Sequence, residues 1–359
     1  LIGVAAFAYT LFTYHAFQIV SPVVLLTLVI VHFREWKLVG KRQIAVALVA
    51  VAIFLVPVVL LLSHGAAQSN EVKLSGLTIL DERTYYDRLF QKRQYFADQT
   101  SLAAKVYSNI PLEFTRQLQQ NMLTALTSNF LFLNGGGHGS HDIAGIGKFY
   151  SVLLPFMVLG AIGLFSKQRI VTKQARILVL IWLGIAMVPA VITWEPAHAT
   201  RLYTIVVPLI LLCVQGFSFA ARLFAASSRV KIFVFSVVGL VAVFQFITTQ
   251  LTYFVVSPQR DVANWVWYAK DMSKFLNEQQ SSAESVYVSG NSWSPYIYYL
   301  FYNAIDPSEA QTYLVHAEPT DEGFQHVTSY KNIQFGDVPY QHLIEAGTSF
   351  AVFDKAIAR

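Results

Sequence analysis

Apolar residues along this chain gather into six stretches free of charged side chains: residues 1–31, 43–63, 149–166, 177–194, 202–221 and 232–259. Each is of a length to cross a hydrocarbon core that needs about 20 apolar residues. Residues 1–31 are too long for one span. They contain Thr13, Tyr14 and His15, followed by Gln18, Ser21 and Pro22, which predicts two helices joined near His15. The expected fold is therefore mainly α: a polytopic transmembrane helical bundle of about seven spans. Pro57, Pro155, Pro189 and Pro208 fall inside the apolar stretches, where they are expected to mark kinks. The chain opens on Leu1 within an apolar run that lacks a basic n-region or cleavage signal, so it does not read as a signal peptide, and further sequence is expected ahead of it.

Between the spans, residues 64–148 are too long to be a simple connector. Pro111 suits a first helical position. After it, Leu118, Met122, Leu126 and Phe130 recur every four residues against Gln117, Gln119, Gln120 and Asn121, predicting an amphipathic helix on a membrane surface. A second helix is expected over 81–98, with Tyr85, Tyr86, Leu89, Phe90 and Phe96 as its apolar side. The run from Asn134 to Asp142 has the composition of a turn whose glycines let backbone approach a ligand closely. After Ser257 and Pro258 a helical run to Phe275 is predicted, with Val262, Trp265, Val266 and Ala269 on one face. Strand-like segments at 286–288 and 350–353 flank a helical stretch from Pro295 to Tyr302. Two regions follow: a transmembrane region, 1–256, and a small α/β domain, 257–359.

Composition agrees with the pattern. Hydrophobic residues make up 55% and charged residues 13%, with a mean hydropathy of +0.47, against about a quarter charged in soluble domains. The placement of charge gives orientation. Segments 34–42, 167–176 and 222–231 carry eleven basic residues and one acid, Glu35, whereas 64–148 holds eight basic and seven acidic residues and the tail from 257 holds six and twelve. Short basic loops face the cytoplasm. One orientation satisfies all three and puts the Tyr14–His15 turn, residues 64–148, the turn 194–201 and the C-terminal domain on the extracytoplasmic side. A net charge of +5 confined to such loops gives no reason to expect a nucleic-acid partner. The single cysteine, Cys213, lies in a span, so no internal disulfide is possible.

Glu195, His198 and Arg201 crowd one short turn beside Trp194 and Pro196. Such residues anchor helices at an interface; a second reading is that Arg201 makes a bidentate contact to a phosphate with His198 as an added donor. His138, His141 and Asp142 are metal-ligand types on a glycine-rich loop, where solvated histidines are the plain alternative, and they match no zinc spacing. Asn134 is a weaker candidate in the same run. Tyr14 and His15 occupy an outer turn where tyrosine also serves as a belt residue. No nucleotide-binding or hydrolase motif is present, and no span carries an ionisable residue suited to ion coupling.

Four segments, in order, carry a family resemblance: LFTYHAFQIVSP (11–22), NMLTALTSNFLFLNGGGHGSHDIAGIGKFY (121–150), EPAHATRLYTIVVP (195–208) and SPYIYYLFYNAIDP (294–307). Together they resemble bacterial glycosyltransferases of family 39 in the GT-C superfamily, related to the polyprenyl-phosphate-mannose mannosyltransferases. The resemblance implies a bacterial or archaeal cytoplasmic membrane and transfer of a sugar from a polyprenyl-phosphate donor to a protein, lipid or glycan acceptor. It also implies a catalytic carboxylate in an external loop expected ahead of Leu1, a divalent cation such as Mg or Mn, and no organic cofactor. By position, Arg201 and His198 would address the donor phosphate, and His141, a possible metal ligand, would lie near the active-site mouth. Where the family often has basic residues, this chain has Ser140 and Gln18. The alternatives are a lipid-linked oligosaccharide ligase or polymerase, or a non-enzymatic transporter or envelope-binding protein.

Overall fold

The structure is a computed structural model that describes residues 2–11, 13–35, 40–43, 45, 46, 49, 52, 56, 78–80, 83–137, 139–166, 171–224, 227–289, 294–319, 325–337 and 350–353. The chain divides into two compact units, Leu1–Pro258 and Gln259–Arg359.

In the first unit, α1 (Ile2–Thr10) and α2 (His15–Val31) are separated by a turn in which Tyr14, fully extended at φ −160° and ψ 146°, precedes the first residue of α2. Further along are α3 (Arg83–Arg93), α4 (Leu102–Tyr107), α5 (Ile110–Ala125), α6 (Leu154–Phe165), α7 (Lys173–Val191), α8 (Val206–Leu223) and α9 (Ser228–Leu251). Three helices among the described residues are long and apolar enough to cross a membrane: Lys173–Val191, Tyr203–Leu223 and Ser228–Arg260. Ala16–Val31 and Ser151–Phe165 are apolar but shorter. The count of seven spans is thus met by three at full length; α1 covers nine described residues up to the turn at 11–14, and most of 43–63 lies outside the described residues. Pro189 does lie inside α7, but Pro155 and Pro208 stand in the first turns of α6 and α8, where a missing N–H breaks no bond. Pro57 is outside the described residues.

Helices α6 and α8 touch backbone to backbone. A Cβ on Gly160 would stand 1.9 Å from the carbonyl oxygen of Leu212, and one on Gly216 would stand 1.8 Å from that of Phe156. Small residues at such crossings replace the hydrophobic drive that a lipid solvent removes. Phe156 stacks on Phe217 at 3.9 Å beside the contact. A core of Phe130, Leu131, Met187, Ala190, Leu209 and Leu212 then joins α7 and α8 to the π-helical turn Asn129–Leu133. By contrast α9 buries none of its residues, and Phe233, Leu240 and Phe244 point outward.

Two predicted faces are met in part. Along α5 the buried positions are Glu113, Gln117, Asn121 and Ala125, while Met122, Leu123 and Leu126 are exposed. The polar stripe faces inward because it meets backbone carbonyls and cations there, not apolar side chains. In α3, Tyr85 and Leu89 are buried, but Tyr86 and Phe90 of the expected apolar side are exposed. That helix ends at Arg93, short of the predicted 98.

The second unit holds α10 (Ala269–Gln280), β1 (Ser285–Val288), α11 (Pro295–Tyr302), α12 (Pro307–Tyr313), β2 (Leu314–His316), β3 (Val327–Tyr330), β4 (Ile333–Phe335) and β5 (Phe350–Phe353). The strands form a mixed sheet in the order β2-β3-β4-β1-β5, with β1 parallel to β4 and β5 and β3 antiparallel to its neighbours. Its core joins Met272 and Leu276 of α10 to Val286, Tyr299, Tyr330 and Ile333. The expected continuous helix up to Phe275 is interrupted at Val266, whose φ of 51° is left-handed, so α10 starts only at Ala269.

Candidate functional site

The last carbonyls of any helix lack intrahelical donors. At the end of α7 that need is met from α5: the Asn121 side-chain amide donates to the carbonyls of Val191 and Thr193, each at 2.8 Å, and Asn121 in turn accepts from Gln117 at 2.8 Å. The chain after α7 is pinned from a second side. Thr193 pairs with Thr78 in an isolated antiparallel bridge, Ile79 N donates to Ile192 O at 2.9 Å, and the hydroxyl of Tyr85 donates to Ile79 O at 2.7 Å. Burial pushes the Tyr85 phenol up from its usual range, against the opposing charge of Arg88. Trp194 lies between the Tyr85 ring, 6.1 Å away, and the Arg88 guanidinium, 5.2 Å from its centroid.

This fixed strand holds Arg201. Its Nη1 donates to Thr193 Oγ1 at 3.2 Å and to the carbonyl of Glu195 at 3.0 Å, and its Nη2 lies 3.6 Å from Glu195 Oε2. The arginine side chain is 17% exposed and the Glu195 side chain 66%. One edge of the guanidinium is locked by the protein, and the other faces a carboxylate that is free to swing into solvent.

The glycine-rich loop meets the same turn. A Cβ on Gly136 would be 2.2 Å from the carbonyl oxygen of Ala197, so only glycine permits this approach. Asp142 forms an ion pair with Lys148, whose Nζ also donates to the carbonyl of His141 at 3.0 Å. The His141 ring is thereby set 5.1 Å from the buried ring of His198. His198 Nδ1 is 3.0 Å from Thr200 Oγ1, which lies 3.0 Å from the hydroxyl of Tyr14. Phe17 packs edge-on against Tyr203 at 6.2 Å, holding the start of α2 beside the turn.

Tyr14, His141, Asp142, Glu195, His198 and Arg201 therefore belong to one surface of the first unit. Asn134 instead closes the π-helical turn, donating to Asn129 Oδ1 at 2.6 Å. His15 opens α2, and His138 lies outside the described residues. Sequence reasoning passed over Thr193, Thr200, Lys148 and Asn121. Lys148 carried the one legible signal, a cation directly before an apolar stretch; the others are ordinary polar residues whose importance is tertiary. As for a divalent cation, Mg requires several oxygen ligands, whereas the groups gathered here are two imidazoles and two carboxylates, Asp142 paired with Lys148 and Glu195 with Arg201. No three His, Cys, Asp or Glu side chains converge on a metal position among the described residues. No protein-family model, curated protein or solved structure matches the chain.

Proposed function

We propose that the chain is a membrane glycosyltransferase of GT-C type that transfers a sugar from a polyprenyl-phosphate donor to an acceptor on the extracytoplasmic face. The reading is carried by one observation: Arg201 is held along one edge by Thr193 and the Glu195 carbonyl, while among the described residues its other edge meets the exposed Glu195 carboxylate at 3.6 Å. A guanidinium fixed in this way is suited to a bidentate phosphate contact. The incoming phosphate replaces Glu195, and little is lost, because an exposed ion pair contributes about 0–1 kcal/mol. His198 and His141 stand beside it, and the Tyr14–Thr200–His198 chain fixes the buried imidazole.

The remaining requirements of a lipid-linked donor are also met in kind. Its isoprenoid tail needs an apolar surface, which α8 and the outward side of α9 offer. Its phosphate needs a cation at the end of such helices, and Arg201 precedes Tyr203–Leu223 by two residues. The basic segments at 34–42, 167–176 and 222–231 support an orientation with this turn outside.

The test uses the full-length protein, with the sequence expected ahead of Leu1, in proteoliposomes with a polyprenyl-phosphate sugar labelled in the sugar. Release of polyprenyl phosphate with transfer of label to an acceptor fraction is expected. A donor that stays intact with every polyprenyl-phosphate hexose and pentose offered would remove the enzymatic reading in favour of a binding or transport protein.

A further inference from the structure

A second cationic site lies among α3 and α5, in a cleft of about 390 Å³ lined by Arg88, Lys92, Glu113, Arg116, Gln117 and Gln120, among others. Three cations meet one carboxylate there. Glu113 is almost fully buried and is already saturated: Lys92 Nζ donates to both of its oxygens at 2.5 Å, and Arg116 Nη1 donates to Oε1 at 2.6 Å. Burial alone would raise its pKa, but these bonds outweigh burial and hold the carboxyl below the usual range, so its charge is committed to Lys92 and Arg116. Among the described residues Arg88 has no ion-pair partner; it donates through Nη1 to Gln117 at 2.7 Å and its guanidinium stands 5.2 Å from the Trp194 ring centroid. The Nε and Nη2 atoms of both arginines have no acceptor among the described residues.

We infer that this cleft binds a tetrahedral oxyanion of phosphate type, gripped by Arg88 and Arg116 with the amide of Gln120 as a further donor. Like charges gathered around a saturated carboxylate repel one another, and an added anion relieves that repulsion, whereas an ordinary solvated face has no reason to gather them. The cations are also preorganised. Gln117 is locked by Asn121, Arg88 by Gln117 and Trp194, and Arg116 by Glu113 and by the Tyr107 ring at 4.9 Å. Phosphate geometry matches the arginine fork. Two sources share this chemistry, a soluble phosphate and the phosphodiester of a lipid headgroup. The inference stands whether or not Arg201 addresses a sugar donor.

The experiment places the full chain in nanodiscs. In one arm the lipid is phosphatidylcholine alone and inorganic phosphate is titrated calorimetrically; in the other, phosphatidylglycerol is mixed in and co-purifying lipid is counted by native mass spectrometry. Gln120→Glu adds a second carboxylate to the cleft without removing a bond of Glu113, and Arg88→Gln with Arg116→Gln removes both forks. Either change is expected to weaken binding by at least about tenfold, as loss of charge-assisted contacts does, in the first arm for a soluble anion or in the second for a lipid. Lys105→Gln, on α4 outside the cleft, should leave binding unchanged. Binding that is absent in both arms, or equal in wild type and Gln120→Glu, overturns the inference. If the double variant does not fold, Gln120→Glu alone decides.

Discussion

The side-chain amide of Asn121 lies 2.8 Å from the carbonyl oxygen of Thr193, while the hydroxyl of the same threonine accepts from Arg201 at 3.2 Å. One buried amide thus links the segment 83–125 to the turn that carries the candidate phosphate ligand. Asn121→Ala leaves the carbonyls of Val191 and Thr193 without their donor, at a cost of about 1–3 kcal/mol. A lowered thermal midpoint in detergent, accompanied by faster proteolysis of the 193–201 turn, is the expected result. Asn121→Leu should behave the same way, because added apolar volume does not restore the lost donors.

The α6–α8 contact predicts a difference between two glycines. Gly160→Ala puts a methyl 1.9 Å from the Leu212 oxygen, so the helices must separate, costing about 1–3 kcal/mol. Gly184→Ala, in α7, meets nothing within 4 Å, and there the higher helix propensity of alanine should leave stability unchanged or raise it slightly. Paired thermal melts of the two variants check this, and equal melting temperatures would refute the close approach.

The long apolar helices and the break near His15 were legible in the sequence because apolar runs and polar interruptions are local properties. So was the gathering of Glu195, His198 and Arg201, which share seven consecutive positions. The inward polar face of α5 was not. Periodicity groups the apolar residues on one side without telling what covers the polar side, and here Asn121 is buried against carbonyls at the end of α7, some 70 positions away along the chain, with Gln117 bonded to it. The strands β2 and β4, of three residues each, are too short for alternation to register, and their positions follow from pairing. Likewise, nothing local tells that Lys148 reaches back to Asp142, or that Gly136 meets Ala197.

Topology is open to a labelling test because the sole cysteine, Cys213, is buried. Glu195→Cys and Arg229→Cys each introduce an exposed thiol. In intact cells a membrane-impermeant maleimide should modify the first, and the second only after permeabilisation. The reverse pattern would invert the proposed orientation.

In the second unit, Asp306 caps α12 by accepting from the backbone N–H of Ser308 at 2.8 Å, and the Ser308 hydroxyl and backbone bonds hold its carboxyl below the ordinary range. Glu309 is lowered similarly, first by Lys331 and then by Tyr330. A folded pKa below the unfolded one gives stability that is present above the unfolded value, about 3.9 for Asp, and lost as pH falls through the folded value. Amide exchange across 303–313 in the full chain, corrected for its intrinsic pH dependence, should accelerate over that acidic window. Asp306→Asn keeps a capping oxygen and should flatten part of the response.

Arg201 is proposed as the ligand of the donor phosphate. Its most direct test is transfer from a labelled polyprenyl-phosphate sugar by the full-length protein, with the sequence expected ahead of Leu1, in proteoliposomes, comparing wild type with Arg201→Ala at varied donor concentration. Loss of a fixed cation at a phosphate predicts a fall of about 10²-fold in kcat/KM for the donor, with the protein still folded by circular dichroism. Undiminished transfer by Arg201→Ala would contradict it.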